Sequence, residues 1–215
     1  MAQTAITTSS RTVAEHLLRT GAVSINTEKQ FVYTSGIVSP IYTDNRMLLS
    51  FPVERRRIVG LLAEAVLRNG ALDTFDVIAG VATAGISWAA LLADRLDKPM
   101  VYVRSEAKEH GKRQQIEGVL REGDRAIILE DLISTGGSVI EAAGGIREAG
   151  GVASDAYALF TYGLPQATRN FQNGNLNIHT LTQIGDLLPV AIEMGYINAD
   201  QRKVVDAWIA GRAKG

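Results

Sequence analysis

Short apolar segments alternate with longer amphipathic ones along the middle of the chain. We predict a strand wherever apolar residues run together for a few positions, and a helix wherever they recur every three to four positions. The predicted strands span residues 76–80, 100–104, 125–130 and 152–160, and the predicted helices span residues 11–20, 52–69, 84–96 and 138–149. This regular alternation predicts an α/β fold, with a mainly parallel central sheet flanked by helices on both faces.

Several helix ends carry recognisable stop and start residues. Ser10 is a favourable N-cap for the first helix and Gly21 a favourable stop. Pro52 suits the first turn of the second helix, and Gly70 follows its last apolar residue. Residues 184–210 are predicted to form two further short helices.

The length of the chain indicates one domain. A chain of 215 residues without internal repeats can bury roughly 70% of its unfolded surface in a single core. We therefore predict a single domain over residues 1–215, with a core of about residues 52–180. A small N-terminal hood of about residues 1–50 is expected to pack with the C-terminal elements.

The segment 126–138 carries the most informative chemistry. An apolar run leads into Glu130 and Asp131, and a turn of hydroxyl and glycine residues, 134–138, then opens a helix. Backbone N–H groups of such a turn and the positive end of the helix attract a phosphate. The two carboxylates would repel a bare phosphate but accept hydrogen bonds from sugar hydroxyls. A ribose 5-phosphate satisfies both halves of the segment.

Two other segments also have the character of an anion site. Residues 82–85 are small and follow a buried strand, so their N–H groups are expected to wrap a pyrophosphate. Residues 105–118 lack hydrophobic periodicity and exceed the usual loop length, which is typical of a lid over an active site. Its cations are Lys108, His110, Lys112 and Arg113, with Arg104 at its base.

Composition excludes several classes of protein. A net charge of −1 gives no reason to expect a nucleic-acid partner. There is no cysteine, which excludes disulfide frameworks and cysteine nucleophiles and fits a reducing compartment. No apolar run reaches the ~18 residues needed to cross a membrane. We therefore expect a cytoplasmic protein with no membrane partner.

The segment 126–138 resembles the phosphoribosyl-pyrophosphate signature of the type I phosphoribosyltransferases. The segments 34–46 and 102–111 are similar to the orotate-side segment and the catalytic loop of the orotate phosphoribosyltransferases. The resemblance implies a type I phosphoribosyltransferase fold with a small N-terminal hood. It also implies transfer of the phosphoribosyl group to orotate with Mg²⁺ brought mainly by the substrate, in a homodimer whose loop covers the neighbouring subunit's site.

The same resemblance assigns roles to individual residues. Those implied to bind phosphoribosyl pyrophosphate are Arg104, Lys108, His110, Glu130, Asp131, Leu132, Ile133, Ser134, Thr135, Gly136, Gly137 and Ser138. Arg104, Lys108, His110 and Asp131 are the implied catalytic residues, and Ser134 would also contact orotate. No metal ligand is assigned to the protein itself.

The chain departs from the family at three places. Many members have a lysine in the loop where this chain has Ser105 or Glu106. Some members have a basic residue at the position of Val38. In some members an arginine that holds the orotate carboxylate lies in the stretch that corresponds to residues 160–163, where this chain has none. Arg46 and the backbone of residues 35–39 are then the candidates for holding orotate. A transferase for uracil or a purine, and a regulator that binds the donor without catalysis, are the alternative functions.

Overall fold

The computed structural model describes residues 6–32, 38–70, 72–104 and 115–212. Its larger part is a six-stranded sheet with helices on both faces. The strands are β5 (Val77–Val81), β6 (Met100–Val103), β7 (Ile116–Glu117), β8 (Arg125–Ile133), β9 (Val152–Thr161) and β10 (Asn177–Gln183). The helices are α1 (Thr8–Arg19), α2 (Pro52–Asn69), α3 (Ala84–Leu96), α4 (Gly137–Glu148), α5 (Pro165–Asn173), α6 (Ile184–Glu193) and α7 (Ala199–Arg212).

The sheet order β10-β9-β8-β5-β6-β7 explains where a ligand site can form. All neighbouring pairs are parallel except β6 and β7, which confirms the predicted mainly parallel sheet. From β5 the chain moves outward to β6 and then returns to the other side of β5 as β8. The carboxyl ends of β5 and β8 therefore flank a topological switch point, where open α/β sheets bind ligands.

Each face of the sheet has its own apolar core. In β8, Ile127 and Leu129 pack into one core with α1, α2, α3 and α6, while Ala126 and Ile128 pack into the other with α4 and α5. Because neighbouring strand residues point to opposite faces, both sets must be apolar. This is why the strand was visible in the sequence as an uninterrupted apolar run.

Short antiparallel pairs precede the central sheet. Strand β1 (Val23–Ile25) pairs with β4 (Ile41–Thr43), and β2 (Phe31–Val32) pairs with β3 (Val38–Ser39). A 3₁₀ helix, Asn45–Ser50, then leads into α2. The C-terminal helix α7 contacts these elements. The indole N–H of its Trp208 donates to the carbonyl oxygen of Val38 in β3 at 2.8 Å.

Most predicted elements lie within a few residues of the observed ones, but the start of α1 was predicted wrongly. The helix begins at Thr8, and the hydroxyl oxygen of Thr7 accepts the N–H of Ser10 at 3.1 Å. Ser10 is therefore inside the helix. Its buried hydroxyl lies 2.8 Å from the hydroxyl of Thr182 and donates to Asp186 at 2.7 Å, which ties α1 to β10 and α6.

No helix of the described residues is both long enough and apolar enough to span a membrane.

Candidate active site

Glu130 and Asp131 lie at the carboxyl end of β8 as predicted, but the strand extends three residues beyond its predicted end at residue 130. The strand continues to Ile133, since Leu132 and Ile133 still pair with β9. Glu130 and Asp131 are consequently buried, with exposed fractions of 6% and 9%. The carboxylates sit at the carboxyl edge of the sheet, but within its packed part.

Burial changes the protonation of this pair. Burial, together with charge repulsion from the neighbouring Asp131, raises the pKa of Glu130 to about 8. The pKa of Asp131 is also raised, again chiefly by burial. One Glu130 oxygen accepts the N–H of Asp131 at 3.0 Å and the other accepts the hydroxyl of Ser138 at 3.1 Å, so both oxygens already have a partner. These bonds favour the ionised form of Glu130, but the effect of burial is larger.

The turn after β8 is shaped by Gly136. Its φ of +79° lies in the left-handed region, and a Cβ there would lie 2.6 Å from the ring of Phe171. Gly136 is thus required by both conformation and space. Gly137 has no positive φ and is the first residue of α4. Asn170 in α5 fixes the turn by donating to the carbonyl oxygen of Thr135 at 2.9 Å.

The N-terminus of α4 has the features of an anion site. No side chain of the described residues caps it, and the first N–H groups of any α-helix have no acceptor within the helix. Ser134 and Ser138 are exposed in this turn, and the hydroxyl of Ser138 donates to Glu130. The turn can therefore present N–H and O–H donors to a phosphate.

The second small-residue segment contributes less than predicted. The N–H of Ala82 donates to the carbonyl oxygen of Val103 at 2.9 Å, so it is not available for a pyrophosphate. The peptide bond between Ala82 and Thr83 is cis. Gly85 opens the first turn of α3 so close to β8 that a Cβ would collide with the carbonyl oxygen of Leu129. The N-terminus of α3 therefore lies directly against the strand that carries the acidic pair.

Only the base of the predicted catalytic loop lies among the described residues. Arg104 follows β6, its N–H donates to the carbonyl oxygen of Gln115 at 2.8 Å, and its guanidinium lies 3.5 Å from Glu117. These contacts bring the two ends of the loop together beside the carboxyl end of β5. Lys108, His110, Lys112 and Arg113 lie outside the described residues.

The 3₁₀ helix after β4 reaches the same place. Asn45, which is fully buried, donates its side-chain N–H to the carbonyl oxygen of Asp131 at 2.7 Å. The next residue, Arg46, forms a two-pronged ion pair with Asp44, at 2.7 Å and 2.9 Å. The positive charge of Arg46 is therefore already matched. Asn45 lies in the segment 34–46 that resembles the family's orotate-side segment, but sequence analysis assigned it no role of its own.

A cavity of about 700 Å³ opens beside the turn. Its apolar and aromatic lining consists of Leu132, Tyr162, Leu164 and Trp208, and its polar lining consists of Thr43, Ser134, Thr135, Gln166, Gly211 and Arg212. The cavity thus joins the hydroxyls of the turn to the hood strand β4 and to the end of α7. Sequence analysis missed the α7 residues because a tail helix carries no motif.

Among the described residues, no group of three or more carboxylate, imidazole or thiol side chains could hold a metal ion. The carboxylates of the site are the neighbouring Glu130 and Asp131, which are buried and hydrogen-bonded as described above.

Comparisons with known proteins agree with this geometry. Residues 53–154 match the phosphoribosyl transferase domain family. The chain is 46% identical over 196 residues to the orotate phosphoribosyltransferase of Coxiella burnetii, covering 91% of this chain and 93% of the relative. It is 44% identical over 196 residues to that of Bacillus subtilis, covering 91% and 90%.

Solved structures show the same similarity. The orotate phosphoribosyltransferase of Aeropyrum pernix matches with a TM-score of 0.72 and 30% identity, over 86% of this chain and 99% of that one. The UMP synthase of Leishmania donovani matches with a TM-score of 0.79 and 28% identity, over 94% of this chain but 42% of that longer one. Sequence identity above 40% over nine tenths of the length, together with this fold, means that the chain belongs to the orotate phosphoribosyltransferase family.

Proposed function

We propose that the chain transfers the 5-phosphoribosyl group from 5-phosphoribosyl 1-pyrophosphate to orotate, which gives orotidine 5′-phosphate and pyrophosphate in pyrimidine biosynthesis. The observation that carries the proposal is that Ser134 and Thr135, in the turn after the acidic pair, line a cavity walled by Tyr162 and Trp208. A phosphoribosyl site and a space suited to a flat ring are thereby adjacent.

The donor's ribose would be held by the acidic pair. The ribose hydroxyls are hydrogen-bond donors, and Glu130 and Asp131 are buried acceptors at the edge of the sheet. The donors offset part of the cost of a buried charge, so binding would favour the ionised forms. The 5′-phosphate would lie on the turn from Leu132 to Ser138, at the N-terminus of α4, where helix N–H groups lack acceptors.

The chemistry needs no covalent nucleophile. A ring nitrogen of orotate attacks the anomeric carbon of the donor while the bond between that carbon and the pyrophosphate oxygen breaks. The ribose passes through an oxocarbenium-like state. Negative charge grows on the leaving pyrophosphate. We assign its neutralisation to Arg104, Lys108 and His110, because cations that meet charge formed only in the transition state accelerate the reaction. A closed loop would also exclude water that hydrolyses the donor.

Magnesium fits this scheme as a companion of the donor. The acidic pair offers oxygen ligands of the kind that Mg²⁺ prefers, but too few for a site made by the protein alone. Glu130 and Asp131 would assist in holding the ion, and most of its ligands would come from pyrophosphate and ribose oxygens. When bound, it would offset the charge of the leaving group.

The proposal includes a homodimer in which the loop of one subunit reaches the site of the other, and a cytoplasmic location. It also treats the antiparallel pairs β1–β4 and β2–β3, together with α7, as a hood over a core that spans about residues 52–180. The bond between Trp208 and Val38 supports the link between tail and hood.

A panel of bases tests the reaction. Pyrophosphate release from the magnesium form of the donor is measured with orotate, uracil, xanthine and hypoxanthine in parallel. We expect release with orotate alone. Faster pyrophosphate release with another base would mean that this base, and not orotate, is the substrate. Donor binding without pyrophosphate release for any base would indicate a regulator.

One variant ties the reaction to the acidic pair. Asp131→Asn should lower turnover by the equivalent of about 1.5–3 kcal/mol, because one charge-assisted hydrogen bond to ribose is lost. Asp200→Asn, which removes only a surface partner of Lys203, is the matched control and should retain wild-type rates. Equal rates in both variants would remove Asp131 from the site.

A further inference from the structure

The cavity beside the phosphoribosyl turn has one cationic side chain among the described residues that line it. Of the described residues that line it, Arg212 alone is charged, and the others are aromatic, aliphatic, hydroxyl, amide or glycine residues. Orotate is a flat ring that carries a carboxylate, whereas uracil is the same ring without one. A carboxylate placed in such surroundings needs a cation or several donors to replace its water.

Arg212 packs against Trp208, which in turn contacts Tyr162. Its guanidinium carbon lies 5.2 Å from the ring centre of Trp208, and that indole is fixed by its bond to Val38. Trp208 also meets Tyr162 edge to face at 6.4 Å. The Tyr162 hydroxyl donates to Thr43 at 2.9 Å on the other side of the cavity. The guanidinium is therefore positioned without the use of its N–H donors.

Several other arginines of the described residues are paired with carboxylates. Arg46 is bound to Asp44, Arg125 to Asp76, and Arg202 to Asp206. Arg212 shows no such ion pair within the described residues. A guanidinium presents a planar fork of donors that matches the two oxygens of a carboxylate, and stacking on an aromatic ring leaves that fork free.

We propose that Arg212, at the end of α7, binds the carboxylate of orotate and thereby sets the preference for orotate over uracil. The inference rests on the proposed function and identifies the base-recognition group that the strand end 160–163 does not supply. Arg46, the sequence-based candidate, is excluded from this role because its charge is matched by Asp44, its side chain is 63% exposed, and it does not line the cavity.

The test compares two nucleotides that differ only in the carboxylate. Orotidine 5′-phosphate and uridine 5′-phosphate are titrated into the wild-type protein, Arg212→Gln and Arg212→Lys by calorimetry. Removing a charged donor should weaken orotidine 5′-phosphate binding about 10- to 100-fold and leave uridine 5′-phosphate binding unchanged. Lysine keeps the charge without the fork and should recover part of the preference.

Two matched variants complete the design. Arg202→Gln makes the same change on the same helix, away from the cavity, and should bind both nucleotides as the wild type does. Arg46→Gln tests the competing candidate and should keep the preference for orotidine 5′-phosphate. The inference is overturned if Arg212→Gln retains that preference, if it loses affinity for both nucleotides equally, or if Arg46→Gln abolishes the preference instead.

Failure of the inference is distinguishable from failure of the proposed function. A wild-type protein that forms orotidine 5′-phosphate from orotate, with an Arg212→Gln variant of equal KM for orotate, would retain the function and reject the role of Arg212. If the wild-type protein forms no orotidine 5′-phosphate, both the proposed function and the role of Arg212 are rejected. The wild-type assay alone gives this result, before any variant is made.

Discussion

The side chain of Asn45 donates a hydrogen bond of 2.7 Å to the backbone carbonyl oxygen of Asp131, across 86 positions of sequence. Asn45 is fully buried, and its own side-chain oxygen has no hydrogen-bond partner among the described residues. The bond is therefore the polar contact that holds the 3₁₀ helix after β4 against the acidic end of β8. The backbone that carries the Asp131 carboxylate depends on it.

Asn45→Asp should destabilise the protein and weaken donor binding. The side chain keeps its shape but loses its donor, so the buried Asp131 carbonyl is left unsatisfied at a cost of about 1–3 kcal/mol. We expect a lower melting temperature and a higher KM for phosphoribosyl pyrophosphate. Asn69→Asp, which removes a partly buried bond to the carbonyl oxygen of Ala65, away from the acidic pair, should leave that KM unchanged. A wild-type KM in Asn45→Asp would contradict the coupling.

Glu130→Gln should alter how stability depends on pH. The folded chain holds the Glu130 proton more tightly than the unfolded chain, because burial raises its pKa to about 8. The stability conferred by this proton is fully present below the ordinary pKa and is lost as pH rises through the folded value. Relative to wild type, the variant should gain about 1–3 kcal/mol of unfolding free energy between pH 5 and pH 8. Urea unfolding at both pH values measures the difference, and parallel behaviour would refute it.

Gly136→Ala should cost more than backbone strain alone. A left-handed conformation costs an alanine about 1–2 kcal/mol, and here the new Cβ would also collide with Phe171. Gly123→Ala is the matched control, because Gly123 has a φ of +83° and no atom within 4 Å of the added Cβ. We expect the larger loss of melting temperature, and loss of donor affinity, only in Gly136→Ala. Equal losses of melting temperature in the two variants, with unchanged donor affinity, would mean that the turn can accommodate the added Cβ.

A mixing experiment tests the shared site. Lys108→Ala should lower turnover by weakening transition-state stabilisation, and Asp131→Asn by weakening the hold on ribose. If the loop acts on the partner subunit, a mixed dimer has one site with both wild-type residues and one with both lesions. Random exchange should then restore about a quarter of wild-type activity. Orotate consumption is measured before and after mixing, with exchange verified independently, and exchange without recovery contradicts a shared site.

Local patterns predicted the elements well where each element has a regular apolar face. Helix α3 was predicted at its observed bounds, and the bounds of β9 differ from the prediction by one residue. Strand β10 was not predicted, because Asn177–Gln183 alternates only weakly and lies at the edge of the sheet. The start of α1 was misplaced because Thr7 and Ser10 are both suitable caps, and the long-range bonds of Ser10 decide between them.

Only the site residues that are neighbours in the sequence could be recognised as a site before the structure was known. Glu130, Asp131 and the turn after them form one segment, so their character was visible directly. Asn45 and Arg212 reach the site through tertiary contacts; Asn45 lies in the orotate-side segment without an assigned role, and Arg212 has no motif around it. The burial that raises the pKa of Glu130 also depends on the packing of β8 between its neighbours, which residue order alone does not define.

The position of Trp208 on the cavity wall has a spectroscopic consequence. The chain has two tryptophans, and Trp88 is fully buried in the core. A ligand that enters the cavity would therefore change the emission of Trp208 against a constant background from Trp88. Intrinsic fluorescence thus offers a site-specific signal for nucleotide binding without any attached dye, and stopped-flow recording of that signal would give the rate at which the cavity fills.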